Sequence, residues 1–184
     1  MDGWLGWVLL GAVLLYGVLL YNRLVSLRNR VRNGWAQIDV QLKRRADLVP
    51  NLVAAVKGYM VHERALFETL AAARGAALAA GDDVPRRAAA EAALGRSLHA
   101  LLALAESNPE IRAGANMAAF QEELASTENR IAYARQHYND AVLDYNTAVQ
   151  SVPSNLVAGA FAFRPDPLFE VTAEEERRPV AVAF

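Results

Sequence analysis

The chain has 184 residues, a formal net charge of −1 and no cysteine. The absence of cysteine excludes disulfide bonds, thiolate metal sites and thiol catalysis, and the near-neutral charge argues against nucleic-acid binding. About 160 residues remain after the apolar N-terminus, enough for one domain with a continuous core.

An uncharged segment from Trp4 to Tyr21 opens the chain. Its 18 residues rise ~27 Å as a helix, close to the ~30 Å hydrocarbon thickness of a bilayer. Aromatic residues stand near both ends, where the membrane interfaces are expected: Trp4, Trp7, Tyr16 and Tyr21. A cleaved secretory signal is the alternative, but the segment lacks a basic residue before it and a small-residue cleavage site after it. We therefore expect residues 1–22 to form a retained transmembrane anchor.

Charge is distributed unevenly around this segment. Asp2 precedes it, whereas four arginines follow it: Arg23, Arg28, Arg30 and Arg32. This bias predicts a single-pass protein with its N-terminus outside and its C-terminal body in the cytoplasm. The same arginines lie where anionic headgroups attract them, so the lipid bilayer is an expected partner, and specific lipid recognition is the alternative to a topology signal.

The first part of the body shows one long apolar helix face. Apolar residues recur three and four apart from Leu24 to Leu70, and no Gly/Pro linker separates them from the anchor. The first helix is therefore expected to continue directly from the transmembrane helix. Pro50 predicts a kink or a short break, and Gly81 predicts the end of the arm. The bundle has three helices if the parts before and after Pro50 form one bent helix, and four if they form two.

Two further helices follow. Paired aspartates before Val84 predict a helix from Val84 to Glu106, and Asn116 is the expected cap of a helix that ends near Ser151. Short connections favour antiparallel neighbours, so residues 23–152 are predicted to form an all-α, antiparallel up-and-down bundle of three to four long helices. Residues 153–184 are expected to be an extended C-terminal segment, whose tail is either frayed or docked as a strand-like peptide.

No pattern of residues indicates catalysis. None of the three histidines follows a glutamate by three residues, so the carboxylate-bridged metal motif of helical bundles is missing. Gly-rich phosphate loops and a Gly-x-Ser-x-Gly setting are also missing. The sequence therefore predicts a protein that is not an enzyme, with no cofactor and no metal site.

Charged residues interrupt the apolar stripes of the first and third long helices. They are Arg45, Asp47, Glu128 and Arg135. Charges buried on a helix face must be paired, because an isolated one costs several kcal/mol. We therefore predict an interhelical polar network among the four, with solvated charges on the helix flanks as the alternative.

Two Tyr-Asn pairs lie seven residues apart on the last long helix: Tyr138-Asn139 and Tyr145-Asn146. Residues seven apart share a helix face. Packing of the two rings in the core, with bonded hydroxyls, is one interpretation, and a ligand groove is the other.

Several segments resemble signature blocks of the LemA family of bacterial membrane proteins. They are Trp35-Ala36-Gln37-Ile38-Asp39, Asp47-Leu48-Val49-Pro50-Asn51, Val56-Lys57-Gly58-Tyr59, Ser126-Thr127-Glu128-Asn129-Arg130 and Val152-Pro153-Ser154-Asn155. The resemblance covers nearly the whole chain apart from residues 75–117. It implies a cytoplasmic helical bundle on a single span of the bacterial inner membrane, without enzymatic activity.

The same resemblance implies a function in organising other proteins. Members of that family are discussed as scaffolds or adaptors near membrane proteolysis. The expected function is a non-enzymatic, membrane-anchored scaffold or adaptor. The alternative is a regulatory or substrate-presenting subunit of a membrane protease or envelope-stress system. A membrane protease, other membrane proteins and a second copy of the chain are the candidate protein partners, and alanine-rich stretches such as residues 88–93 permit close helix contacts.

Overall fold

A computed structural model describes residues 3–60, 62–112 and 115–170 of the chain, and within these ranges the regular elements are helices. They are α1 (Gly3–Val56), α2 (Arg64–Ala79), α3 (Val84–Ser107), α4 (Pro109–Arg112), α5 (Ala115–Gln150) and α6 (Ser154–Ala160). The predicted all-helical bundle with a long first helix is confirmed. Whether the tail docks or frays concerns residues 171–184, which lie outside the described residues.

Helix α1 joins the apolar N-terminal segment to the body without interruption over 54 residues. Its apolar part has a mean hydropathy of 2.0, and its length and composition allow it to cross a membrane. Its large side chains are exposed, with Trp7 75% and Leu14 63% accessible. Burial begins at Leu24, where the stripe of core residues starts. The apolar segment and the body are therefore continuous in one helix, as expected.

Of the kink or short break predicted at Pro50, the break does not occur, because α1 continues through Pro50 to Val56. The first helical arm is interrupted later, by a turn at Lys57-Gly58-Tyr59. A proline removes the amide that would donate to the carbonyl four residues earlier, here that of Ala46. Arg74 of α2 donates to this carbonyl instead, with 2.7 Å between Nε and O. A side chain from a second helix thus satisfies the backbone group that the proline leaves unpaired.

The end of α2 and the start of α3 follow local rules. Asp83 caps α3 by accepting from the Arg86 amide at 3.0 Å, as its position predicts. Gly81 takes the left-handed conformation, with φ of 61°, just after α2. Helix α5 begins at Ala115, one residue before the expected cap Asn116, and the short helix α4 occupies part of the predicted loop before it.

The chain divides into two compact units. Among the described residues, the first unit combines residues 3–38 with Ala134–Leu168, and the second combines Asp39–Tyr133 with residues 169–170. In the first unit α1 and α5 run antiparallel, since Gly34 lies against Tyr138 while Leu27 and Ala148 line the same cavity. The core of the second unit draws on five helices, and its fully buried members include Leu52, Val56, Leu70, Ala77, Leu94, Leu98, Leu101 and Ala105.

Candidate functional site: a buried ion cluster and a docked segment

Three charged side chains are buried in the second unit: Arg45 of α1 and Arg87 and Glu91 of α3. Arg45 retains 5% and Glu91 3% of its accessible surface. Removing such groups from water costs several kcal/mol each unless opposite charges and hydrogen bonds compensate. Their pairing therefore decides whether this part of the core is stable.

Glu91 bridges the two arginines. Its Oε2 accepts from Arg45 Nη2 at 2.6 Å and its Oε1 accepts from Arg87 Nε at 3.0 Å. Arg45 Nη2 also donates to the Glu91 backbone carbonyl at 2.9 Å. One buried carboxylate thus links α1 to α3 through a charge-assisted pair and holds Arg87 one helical turn away.

Two further carboxylates complete the cluster at its edges. Arg45 Nη1 donates to both oxygens of Glu128, at 2.9 and 3.2 Å, and Arg87 Nη2 donates to Asp39 at 3.1 Å. The Glu128 and Asp39 side chains remain 32% and 52% exposed. The cluster therefore contains two positive and three negative groups, of which the two outer carboxylates stay in contact with water.

The electrostatics keep Arg45 charged. Burial lowers its pKa, but the carboxylates of Glu128 and Glu91 together outweigh burial, so the pKa of Arg45 is raised above its ordinary value. A guanidinium held in this way neither takes up nor releases a proton in the physiological range. The arrangement joins helices and sets their register.

The cluster differs in composition from the predicted network. Arg45 and Glu128 are in contact, whereas Asp47 is exposed and Arg135 is half-buried in the first unit. Asp39, Arg87 and Glu91 take part instead. A sequence signal for the last two exists, because Arg87 and Glu91 lie seven residues before Leu94 and Leu98 and so fall on the apolar stripe of α3.

In the first unit, the chain after α6 is extended and packs against α5. Asn146 donates from Nδ2 to the Asp166 carbonyl at 2.8 Å, and the Asp166 amide donates to Asn146 Oδ1 at 2.9 Å. The Tyr138 hydroxyl donates to the Pro167 carbonyl at 2.9 Å. Pro165 also favours the extended backbone. Side chains of α5 thus hold the main chain of this segment, residues 163–168, which we call the docked segment.

Phe163 fixes the start of the docked segment. Its side chain is buried, its ring centroid lies 5.6 Å from that of Tyr21, and the Arg28 guanidinium lies 5.9 Å above its ring. A cation at this distance from an aromatic face is attracted by the ring quadrupole. Aromatic packing at one end and main-chain hydrogen bonds at the other therefore hold the segment in place.

The rings of Tyr138 and Tyr145 are buried beneath this segment, with 2% and 1% of their surface accessible. Burial, helped by the nearby Asp166 carboxylate, raises the pKa of Tyr138 to about 12. Asn139 is half-buried, and Asn146 contacts the docked segment. The helix face that the sequence analysis considered as a ligand groove is thus lined by buried tyrosines, and the docked segment covers part of it.

Neither site offers metal ligands. Among the described residues, no group of three or more His, Asp or Glu side chains is placed to hold a metal ion. The three carboxylates of the ion cluster instead face arginines. Ion pairing and main-chain recognition are the chemistry that these two sites can perform.

The model of the LemA family matches residues 34–184, which is most of the chain and contains every residue of the ion cluster. No curated protein matches the sequence.

Proposed function

The chain belongs to the LemA family, and on that premise we propose that it is a non-enzymatic scaffold, anchored in the bacterial cytoplasmic membrane by α1, that organises partner proteins at the cytoplasmic face. The four arginines that follow the span support this orientation, with the N-terminus outside. The ion cluster supports a structural task, because its ion pairs link α1 to α3 and α5.

The observation that carries the proposal is the continuity of α1 from Gly3 to Val56. A helix of this length extends ~80 Å at ~1.5 Å per residue. Helix α1 contains no flexible linker after its apolar segment, so proteins bound to the body would be tethered directly to the membrane.

Exposed aromatic and aliphatic side chains on the second unit are candidate contact points. Tyr133 is 79% exposed and Val40 62% exposed. Tyrosine is enriched at protein interfaces because it offers a large, fairly rigid apolar surface together with a hydroxyl group. These two positions are where partner contact is expected first.

Site-specific photo-crosslinking of the full chain in living cells tests the proposal. A photoreactive amino acid at Tyr133 or Val40 should give discrete crosslinked proteins, and one at the exposed Arg96 of α3 is the matched control. Adducts seen at Tyr133 and Val40 but not at Arg96 would support a scaffold. Equal or absent crosslinking at all three positions would contradict it.

The docked segment supports the alternative, a subunit that presents peptides to a membrane protease. Asn146 and Tyr138 bind main-chain groups of an extended segment, and such contacts suit other extended peptides as well. Asn146→Ala should raise hydrogen exchange at the Asp166 amide, while Asn129→Ala, an exposed position on α5, should not. A protease adduct lost only with Asn146→Ala would favour this alternative, and an adduct unaffected by it would count against peptide presentation.

A further inference from the structure

A cavity of about 430 Å³ lies in the first unit, between α1 and the turn that follows α5. Its lining includes Tyr16 and Leu20 of the apolar segment, then Arg23 and Arg30, and opposite them the C-terminal turns of α5. The volume falls within the range of small-molecule sites, roughly 300–1,000 Å³. One end of the cavity is therefore bounded by the span and the other by charged residues.

The two arginines of the cavity share one helix face. They are seven residues apart, which places them about 10 Å apart along the axis. Side chains in a helix lean toward its N-terminus, and the N-terminal direction of α1 is that of the span. Arg23 and Arg30 therefore lean toward the level at which lipid phosphates lie, and a guanidinium suits a phosphate because it donates two parallel hydrogen bonds.

Hydrogen-bond acceptors line the opposite wall. Ser151 Oγ donates to the Thr147 carbonyl at 2.7 Å and Ser154 Oγ to the Ala148 carbonyl at 2.6 Å. Their hydrogens are thus committed, so these hydroxyls present lone pairs to the cavity. The Asp144 carboxylate also lines it. Acceptors beside a phosphate site fit the hydroxyl groups of a polyol headgroup, and a choline headgroup would leave them unpaired.

The net charge of the cavity lining also fits a phospholipid with a hydroxylated headgroup. Arg23, Arg30 and Asp144 give the lining a net charge of +1, from two positive groups and one negative group. A phosphodiester carries one negative charge. A glycerol-type phospholipid therefore neutralises the cavity, whereas a zwitterionic phospholipid leaves it positive.

Exposed apolar side chains surround the same end of the unit. Val152 is 80%, Leu156 72% and Phe161 62% exposed, and the Phe161 ring lies 4.8 Å from that of Tyr21, the last aromatic residue of the span. Apolar side chains grouped beside a membrane interface are typical of segments that enter the headgroup layer. Leu156 and Phe161 lie outside the cavity lining, and their exposure indicates that α6 faces lipid.

We propose that this cavity binds the headgroup of an anionic phospholipid with a hydroxylated headgroup, of which phosphatidylglycerol is the simplest example. Arg23 and Arg30 hold the phosphate, and Asp144, Ser151 and Ser154 accept from the headgroup hydroxyls. The proposal rests on the membrane anchoring proposed above. It goes beyond general attraction of arginines to an anionic surface, because it requires one lipid molecule in one place.

Full-length protein reconstituted in nanodiscs of phosphatidylcholine with phosphatidylglycerol provides the test. Native mass spectrometry after release counts the lipid molecules that stay bound. One retained phosphatidylglycerol is expected, and Arg23→Gln with Arg30→Gln should reduce its retention by about tenfold or more, the loss of one or two charge-assisted hydrogen bonds. Arg32→Gln removes the same kind of charge two residues away, outside the lining, and should leave retention unchanged.

Further measurements separate the components of the proposal. Equal loss with Arg32→Gln, or no retained lipid in a protein that inserts normally, overturns the site and leaves anchoring intact. Failure to insert into nanodiscs contradicts the anchoring itself. Phosphatidylmethanol, an anionic phosphodiester that lacks headgroup hydroxyls, should bind more weakly, and Asp144→Asn should reduce that difference. Equal binding of the two lipids overturns the role of the acceptors, and displacement by soluble glycerol phosphate at similar concentration overturns the requirement for lipid.

Discussion

The guanidinium of Arg74 replaces the hydrogen bond that Pro50 removes from α1. Its Nε lies 2.7 Å from the Ala46 carbonyl, the group that an amide at position 50 would bind. A proline within a helix usually costs about 3 kcal/mol, partly through this lost bond. Here a side chain of α2 satisfies the carbonyl, and α1 continues for six more residues to Val56.

This relationship predicts that Arg74→Met depends on its background. In the natural sequence the substitution leaves the Ala46 carbonyl without its partner, and the free energy of unfolding should fall by about 1–3 kcal/mol. In a Pro50→Ala background the new amide donates to that carbonyl, so the same substitution should cost less. Urea unfolding of the four proteins in detergent measures both costs. Equal costs in the two backgrounds would show that Arg74 acts independently of Pro50.

The ion cluster predicts different costs for two glutamates that bind the same arginine. Glu91→Gln leaves Arg45 and Arg87 buried with reduced compensation and should cost about 3–5 kcal/mol. Glu128→Gln affects a side chain that is 32% exposed and should cost about 1 kcal/mol, since water partly replaces it. Chemical denaturation distinguishes the two. A larger loss for Glu128→Gln would mean that the outer pair, and not the buried bridge, holds the helices together.

Two glycines within helices should respond oppositely to alanine. A Cβ on Gly34 would lie 3.1 Å from the Tyr138 Cα, so Gly34→Ala should separate α1 from α5 and cost about 1–3 kcal/mol. A Cβ on Gly75 of α2 meets nothing within 4 Å. Gly75→Ala should therefore stabilise the protein by about 0.5–1 kcal/mol through helix propensity. Thermal melts monitored by circular dichroism give the two signs, and a neutral Gly34→Ala would disprove the close contact.

Tyr138 predicts a loss of stability at alkaline pH. Its pKa is about 12 in the folded protein, because burial and then Asp166 disfavour the phenolate, and about 10 in the unfolded chain. Between pH 10 and 12 the unfolded state releases the proton and the folded state keeps it, so the free energy of unfolding falls as pH rises.

The control for this effect is Tyr138→Phe. It lacks the hydrogen bond to the Pro167 carbonyl, so it should be less stable at neutral pH by about 1 kcal/mol. Its melting temperature should then decline less steeply between pH 10 and 12. The remaining decline includes Tyr145, whose pKa is also raised, first by burial. Parallel curves for the two proteins would show that Tyr138 does not cause the loss.

The helix ends that sequence predicts well are those set by neighbours along the chain. Asp83, just before α3, is such a local signal: a carboxylate whose position in the chain predicts that it caps the start of the helix. The short break considered at Pro50 is absent for the complementary reason. Its compensation comes from Arg74, which lies 24 positions later and is brought near only by the fold.

The ion cluster illustrates the same limit. The apolar stripe of α1 indicates that Arg45 faces the core, and the structure places it there with Glu128. The buried partner of Arg45 is Glu91. Glu91 lies in the alanine-rich helix α3, where leucines define the apolar stripe, so from the sequence alone Glu91 is easily assigned to the surface. To predict which acidic residues pair with Arg45, one must know how three helices are placed relative to one another. The spacing of apolar residues along the sequence does not give this information.

Cysteine labelling tests the central claim, an anchor with its N-terminus outside and a body in the cytoplasm. The chain has no cysteine, so Asp2→Cys and Ser126→Cys, the latter at an exposed position on α5, each introduce a single thiol. A membrane-impermeant thiol reagent applied to intact cells should label Asp2→Cys, and Ser126→Cys should react only after the membrane is opened. Labelling of Ser126→Cys in intact cells, with Asp2→Cys protected, would contradict the account.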